Sequence, residues 1–223
     1  MIISHKYKFI MFLPWKCGTT TSQKRFAKYN ESPYSMEMYF SKILGKISSK
    51  HINLIDFKKH PESNLDYYMI SWVRNPYDRL YSGYLQRKLA DCSNTDDCVD
   101  TKFIKNGWNS WFEDFFLPRF SKDNKVIGGQ CNHHTHLSDK QYVDFIGRTE
   151  TMNSDTKKIC KHLGLKVDLN ITGNIKTKFE EVDPFNMKIS DYKYIDKYTD
   201  EQIKIVNKIF AKDFELFKYK TIQ

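Results

Sequence analysis

The chain reads as an α/β protein with a central parallel sheet flanked by helices, and three observations predict this. Two apolar runs, at 7–13 and 67–73, each end in a turn that opens a helix. A third run near 142–147 leads into a helical pattern at 151–163. Strands thus alternate with helices, which is the order that joins parallel strands through helical crossovers.

Taken in order, the first strand is followed by a helix at about 19–29. A second helix is expected at 35–48, where Met38, Ile43, Leu44 and Ile47 fall at near-helical spacing. A short strand near 52–55 precedes the strand at 67–73 and the helix at 77–90, with Pro76 suited to the first helical position. Residues 91–107, rich in Asn, Asp and Thr, read as a loop. Trp108, Trp111, Phe112, Phe115 and Phe116 suggest an aromatic-faced helix; core packing is the first reading of that stripe and carbohydrate stacking the second. Residues 166–198 are polar and irregular. A final helix at about 199–213 starts at a Thr199 cap with Asp200 and Glu201 in its first turn.

Ligands of parallel α/β sheets bind beyond the carboxyl ends of the strands. Two segments there carry phosphate-handling residues. After the first strand come Pro14-Trp15-Lys16-Cys17-Gly18-Thr19-Thr20-Thr21. A helix N-terminus leaves N–H groups without intrahelical acceptors and carries partial positive charge, so a strand-turn-helix unit makes an anion seat. Gly18 permits close backbone approach. Thr19, Thr20 and Thr21 supply hydroxyls for capping or for a ligand. Lys16 adds a point charge able to follow a leaving oxygen. The order differs from the G-x-x-x-x-G-K-[ST] nucleotide loop, because Lys16 precedes the Gly. The second segment is Val73-Arg74-Asn75-Pro76-Tyr77-Asp78-Arg79-Leu80-Tyr81-Ser82. Arg74 stands at a strand end, where a guanidinium can grip phosphate in bidentate fashion. Ser82 lies eight residues on, slightly over two helical turns. An Arg–Asp78 helix pair with a solvated Ser is the plainer account of that second segment on its own.

Pro-x-Lys-x-Gly-Thr-Thr followed by Val-Arg-Asn-Pro-Tyr-Asp-Arg-Leu-x-Ser-x-Tyr resembles the paired signature of sulfotransferases, which use 3′-phosphoadenosine 5′-phosphosulfate (PAPS). The similarity is greatest to the Golgi carbohydrate sulfotransferases and their bacterial and viral relatives. Val143 to Glu150 resembles the family's strand ending I-G-R-x-E, and Asp155 to Leu165 the helix after it. Phe210 to Tyr219 resembles its closing helix. The resemblance implies a P-loop NTPase-like three-layer fold spanning 1–223 as one sulfotransferase domain. It implies that Lys16, Cys17, Gly18, Thr19, Thr20 and Thr21 hold the 5′-phosphosulfate, that Arg74 and Ser82 hold the 3′-phosphate, and that no metal is required. Trp15 and Cys17 depart from the pattern without removing a proposed donor.

Sulfuryl transfer needs a base for the acceptor hydroxyl or amine, and histidine suits this near neutral pH. The chain has seven: His5, His51, His60, His133, His134, His136 and His162. His51-Ile52-Asn53-Leu54-Ile55-Asp56-Phe57 resembles the H-x-x-x-x-D-F segment of heparan sulfate 2-O-sulfotransferases, whose His is the proposed base. On that resemblance His51 is the general base and Lys16 offsets charge on the bridging oxygen. Glu150 is the rival base, with an ion pair to Arg148 or an acceptor contact as its other roles. Cys131-Asn132-His133-His134-Thr135-His136 has a zinc-like density of ligands, but structural zinc sites join two separate stretches and no second pair stands nearby. By the resemblance this neighbourhood lies near the acceptor, so His134 and His136 are read as acceptor-binding.

With 223 residues, 40% of them hydrophobic, the chain is long enough for a full core. Its net charge of +9, from 36 Lys and Arg against 27 Asp and Glu, favours anionic partners such as a nucleotide or a sulfated glycan. No basic block is dense enough for a nucleic-acid tail. No apolar stretch is long enough to span a membrane, and the N-terminus lacks a signal-peptide pattern, so a soluble cytoplasmic protein is expected, or a Golgi-lumenal one if an anchor precedes it. Five cysteines make no disulfide framework, although Cys92 and Cys98 could pair in an oxidising compartment. The leading expectation is a PAPS-dependent sulfotransferase acting on a carbohydrate or other hydroxyl acceptor. A P-loop-type kinase or hydrolase and a non-catalytic binder of anionic glycans are the alternatives.

Overall fold

The computed structural model describes residues 1–32, 38–41, 46–91, 101–123, 130–173 and 192–223. In chain order the elements begin with β1 (Ile2–Ser4), β2 (Phe9–Met11), α1 (Thr19–Phe26), β3 (Met38–Ser41), β4 (Lys46–Ser49), α2 (Leu54–Phe57) and β5 (Tyr68–Val73). Next come α3 (Pro76–Asp91), α4 (Thr101–Lys105), α5 (Trp108–Ser110), a π-helical stretch (Trp111–Phe116) and α6 (Leu117–Asp123). A 3-10 turn (Cys131–His134), β6 (His136–Leu137), β7 (Lys140–Gln141), β8 (Phe145–Arg148) and α7 (Met152–Leu163) follow. The chain ends in α8 (Asp200–Ile209) and α9 (Ala211–Phe217). Two compact units form: Met1–Arg74 with Cys131–Asn186, and Asn75–Gln130 with Met187–Gln223.

The first unit holds a four-stranded sheet in the order β1-β2-β5-β8. The three strands β2, β5 and β8 run parallel, and β1 pairs antiparallel on β2. Alternation along β2 divides its side chains between the two faces. Phe9 meets Phe26 of α1 edge-on, with ring centroids 6.2 Å apart. Ile10 and Phe12 join a cluster with Ile3, Ile52, Leu54, Phe57 and Val143 on the other face, where the Phe12 and Phe57 rings are 5.0 Å apart. Gly147 faces Trp72 in register, and a Cβ there would lie 2.6 Å from the indole. The bare glycine lets the fully buried Trp72 ring lie across β8.

The second unit is helical and aromatic. The π-helical stretch has a wider turn than an α-helix, so Trp111, Phe112, Phe115 and Phe116 all turn inward and are buried. Trp108 donates from Nε1 to Gln202 Oε1 at 3.0 Å. The aromatic stripe is therefore core. Asn75 Oδ1 accepts from the N–H of Tyr77 at 3.0 Å, capping α3, with Pro76 in the first turn as expected. Thr199 and Gln202 form a reciprocal capping box at the start of α8.

Five expectations need correction. The expected strand at 7–13 is shorter: a turn with Lys8 at φ 50° separates β1 from β2. Where one helix was expected at 35–48, Met38–Ser41 and Lys46–Ser49 pair as antiparallel strands; residues 33–37 and 42–45 lie outside the described residues. Where a strand was expected near 52–55, Leu54–Phe57 is helical, because Asn53 Oδ1 caps it by accepting from the N–H of Asp56 at 2.8 Å. The final helix is broken at Phe210 into α8 and α9. The loop expected at 91–107 holds α4 at its end, while Cys92, Cys98 and most of the 166–198 segment lie outside the described residues. Among the described residues no helix is long and apolar enough to cross a membrane.

Candidate active site

Every element of the donor-side loop lies in the first unit. The turn from β2 to α1 carries two left-handed residues, Lys16 at φ 62° and Gly18 at φ 71°, with Gly18 as the N-cap of α1. Turns of this kind gather backbone N–H groups into an anion-binding concavity. A Cβ on Gly18 would lie 2.6 Å from Met152 Cε, so space as well as φ demands glycine. The N–H groups of Thr19, Thr20 and Thr21 open α1 and have no acceptor within the helix.

The three hydroxyls have different fates. Gly18 provides no side-chain cap, and the expected threonine cap is absent. Thr19 Oγ1 donates instead to the Pro14 carbonyl at 2.9 Å, and Thr21 Oγ1 accepts from the N–H of Gly173 at 2.8 Å. Both are buried, and Thr20 is exposed. Cys17 is buried too: its N–H donates to the Pro14 carbonyl at 3.2 Å and its Sγ lies 3.4 Å from Cys131 Sγ. Of the residues assigned to the 5′-phosphosulfate, Cys17 is thus turned into the protein and contributes to the shape of the loop. The hydroxyl proton of Thr19 is likewise committed to the loop.

Arg74 follows β5, whose end is clamped by Thr149: its N–H and Oγ1 both donate to the Val73 carbonyl, at 2.9 and 3.0 Å. From there Arg74 Nη1 reaches the Lys16 carbonyl in a long contact of 3.4 Å. The two predicted cations therefore converge at the carboxyl ends of neighbouring strands. Lys16 is half-buried, and its ammonium is pulled down from 10.5 to about 8, first by burial and then by the positive charge of Arg74. Two like charges held together out of water are stabilised by an anion between or beside them. Ser82 is half-buried on α3 in the second unit.

His51 sits in the loop before α2 and is half-buried. Its Nδ1 lies 2.5 Å from the Leu13 carbonyl oxygen. That oxygen only accepts, so Nδ1 carries the proton, and the lone pair of the neutral ring is on Nε2. Leu13 immediately precedes the 14–21 loop, which places the candidate base next to it. His5 pairs with Tyr67 OH, His60 is buried against Phe57, and His162 lies against Tyr68, so these three have places in the packing. Glu150 is half-buried in the turn between β8 and α7.

The histidine-rich segment diverges from its expected role. His134 is fully buried, and its Nε2 donates to the His51 carbonyl at 3.0 Å, so it is turned inward against the His51 backbone. His136 is half-buried with Nδ1 2.8 Å from Thr135 Oγ1. Cys131 faces Cys17 while His134 faces His51, so the dense ligand run does not converge. Among the described residues no group of three or more His, Cys, Asp or Glu is arranged to hold a metal ion. Residues that sequence reasoning missed include Gly173, which seats on the start of α1 from 152 residues away in the chain, and Met152, which closes over Gly18. No local signal marks either one.

A family model described as the sulfotransferase family matches residues 1–220. The chain belongs to that family. The match runs through both compact units, so the loop, Arg74 and His51 all lie within the sulfotransferase region. No curated relative and no solved structure matches the chain. Membership supports an enzyme of sulfuryl transfer and favours that reading over a kinase or a passive glycan binder.

Proposed function

We propose that this sulfotransferase takes its sulfuryl group from PAPS and delivers it to a hydroxyl or amine of an acceptor, in the first instance a carbohydrate. The observation that carries the reading is the convergence of Lys16 and Arg74 at the N-terminal end of α1. A doubly phosphorylated nucleotide brings anionic charge to this pair of cations. In this reading, of a P-loop-like domain, Lys16 and the first N–H groups of α1 receive the 5′-phosphosulfate, and Arg74 receives the 3′-phosphate of the nucleotide.

The chemistry follows from alignment and electrostatics. His51 Nε2 takes the proton of the acceptor as its oxygen or nitrogen bonds to sulfur. The bond from sulfur to the bridging oxygen breaks, and 3′,5′-adenosine bisphosphate (PAP) leaves with the electron pair. Lys16 stabilises the charge that develops on that oxygen. His136 and Glu150 are placed on the acceptor side of this reading.

Thermal unfolding with PAP, with ATP plus magnesium, and with heparin tests it. A ligand at 100 times its dissociation constant stabilises by about 2.7 kcal/mol. PAP without metal is expected to give the largest shift. A larger shift from ATP plus magnesium, or from heparin alone, overturns the proposal.

A further inference from the structure

We propose that His134 is a positioning residue that holds the general base His51 in register with the phosphate loop; this rests on the reading of His51 as base. Three observations carry it. His134 is fully buried, and its Nε2 donates to the backbone carbonyl of His51 at 3.0 Å. His51 lies between β4 and α2, outside regular structure, so no sheet or helix ladder fixes it. Its ring is held on the other side by the Leu13 carbonyl. Backbone and ring are therefore pinned at two separate points, which restrains the direction of Nε2. The bond is part-buried at its buried His134 end, and a hydrogen bond partly withdrawn from water is stronger than a fully solvated one.

The second half of the argument is geometric. Residues at i and i+3 of a 3-10 helix lie over one another. Cys131 and His134 are so related, and the same turn meets Cys17 with the first side chain and His51 with the second. One rigid turn thus touches both the loop read as the leaving-group seat and the residue read as the base. It sets their separation, which a static acceptor between them needs.

The test is the tautomer of His51 in the full chain, read from its ring nitrogens by NMR after 15N-histidine labelling, with PAP affinity measured alongside. The wild type is expected to show a single Nδ1–H form. In His134→Ala that signature gives way to a mixture of tautomers, while PAP affinity stays within about twofold, because the bond that His134 makes is to the His51 backbone. His134→Gln keeps an amide donor near the position of Nε2 and retains the single form. A single unchanged form in His134→Ala, or loss of it in His134→Gln, overturns the proposal. If His134→Ala does not fold, the His134→Gln result decides. Turnover of labelled PAPS against a glycan panel separates the underlying reading. If His51→Gln turns over as well as wild type, His51 is not the base, whether or not His134 orders its ring.

Discussion

Lys16 is the group whose ionisation reports ligand binding most directly. In the free protein its pKa is lowered from 10.5 to about 8, chiefly by burial, with Arg74 adding to the effect. A folded-state pKa below the unfolded one means that the unfolded chain holds the extra proton between these two values. Stability of the free protein therefore rises with pH across that window, and the full cost of burying the cation is present below it. A phosphate beside the ammonium reverses the shift. PAP binding should then be independent of Lys16 ionisation at neutral pH and take up a proton above about pH 8. One unit above the free pKa about nine-tenths of Lys16 is neutral, and PAP affinity falls about tenfold, or about 1.4 kcal/mol, below its plateau. Calorimetry in two buffers of unequal ionisation enthalpy, near neutral pH and one unit above the Lys16 pKa, measures both the affinity and the proton uptake. Lys16→Met should bind PAP more weakly, show no such pH slope, and melt above the wild type near neutral pH, because a buried charge has been removed. A flat wild-type affinity with no proton uptake, or the same slope in Lys16→Met, refutes the placement of an anion beside Lys16.

Arg74→Ala should weaken PAP at least tenfold, the scale of a charge-assisted pair, and should also raise the Lys16 pKa toward its ordinary value; equal affinity by calorimetry excludes Arg74 from the nucleotide site. Gly147→Ala should cost about 1–3 kcal/mol in urea unfolding, because a Cβ there drives into the Trp72 ring. The same substitution should cost less in a Trp72→Phe background, and equal costs in the two backgrounds would locate the strain elsewhere.

Much of the candidate loop's form was legible because its backbone geometry is local. Lys16, Gly18 and the threonines share one turn, and Arg74-Asn75-Pro76 announces a strand end and a helix start through side chains acting within three residues. Signals failed where the element is short or ambiguous. Leu54–Phe57 is one turn long, so it shows no periodicity, and its Asn53 cap was the only mark of a helix. Met38 and Ile47 fit helical spacing, yet neighbouring Tyr39, Phe40 and Ser48 fit strands equally well, and cross-strand pairing decided for the sheet. The expected roles of Cys17, Thr19 and His134 rested on a motif that names positions without giving side-chain directions. In the folded chain all three are buried and bonded inward.

The sequence alone determined the sulfotransferase signature, the strand-turn-helix form of the 14–21 loop and the capping of α3 and α8, because each depends on residues within a few positions of one another. Tertiary structure decided which donors remain available, how the Lys16 charge is tuned, and which residue supports His51. Those properties arise where β2, β5 and the Cys131–His134 turn come together, and burial and distance between residues far apart in the chain are set only by the fold.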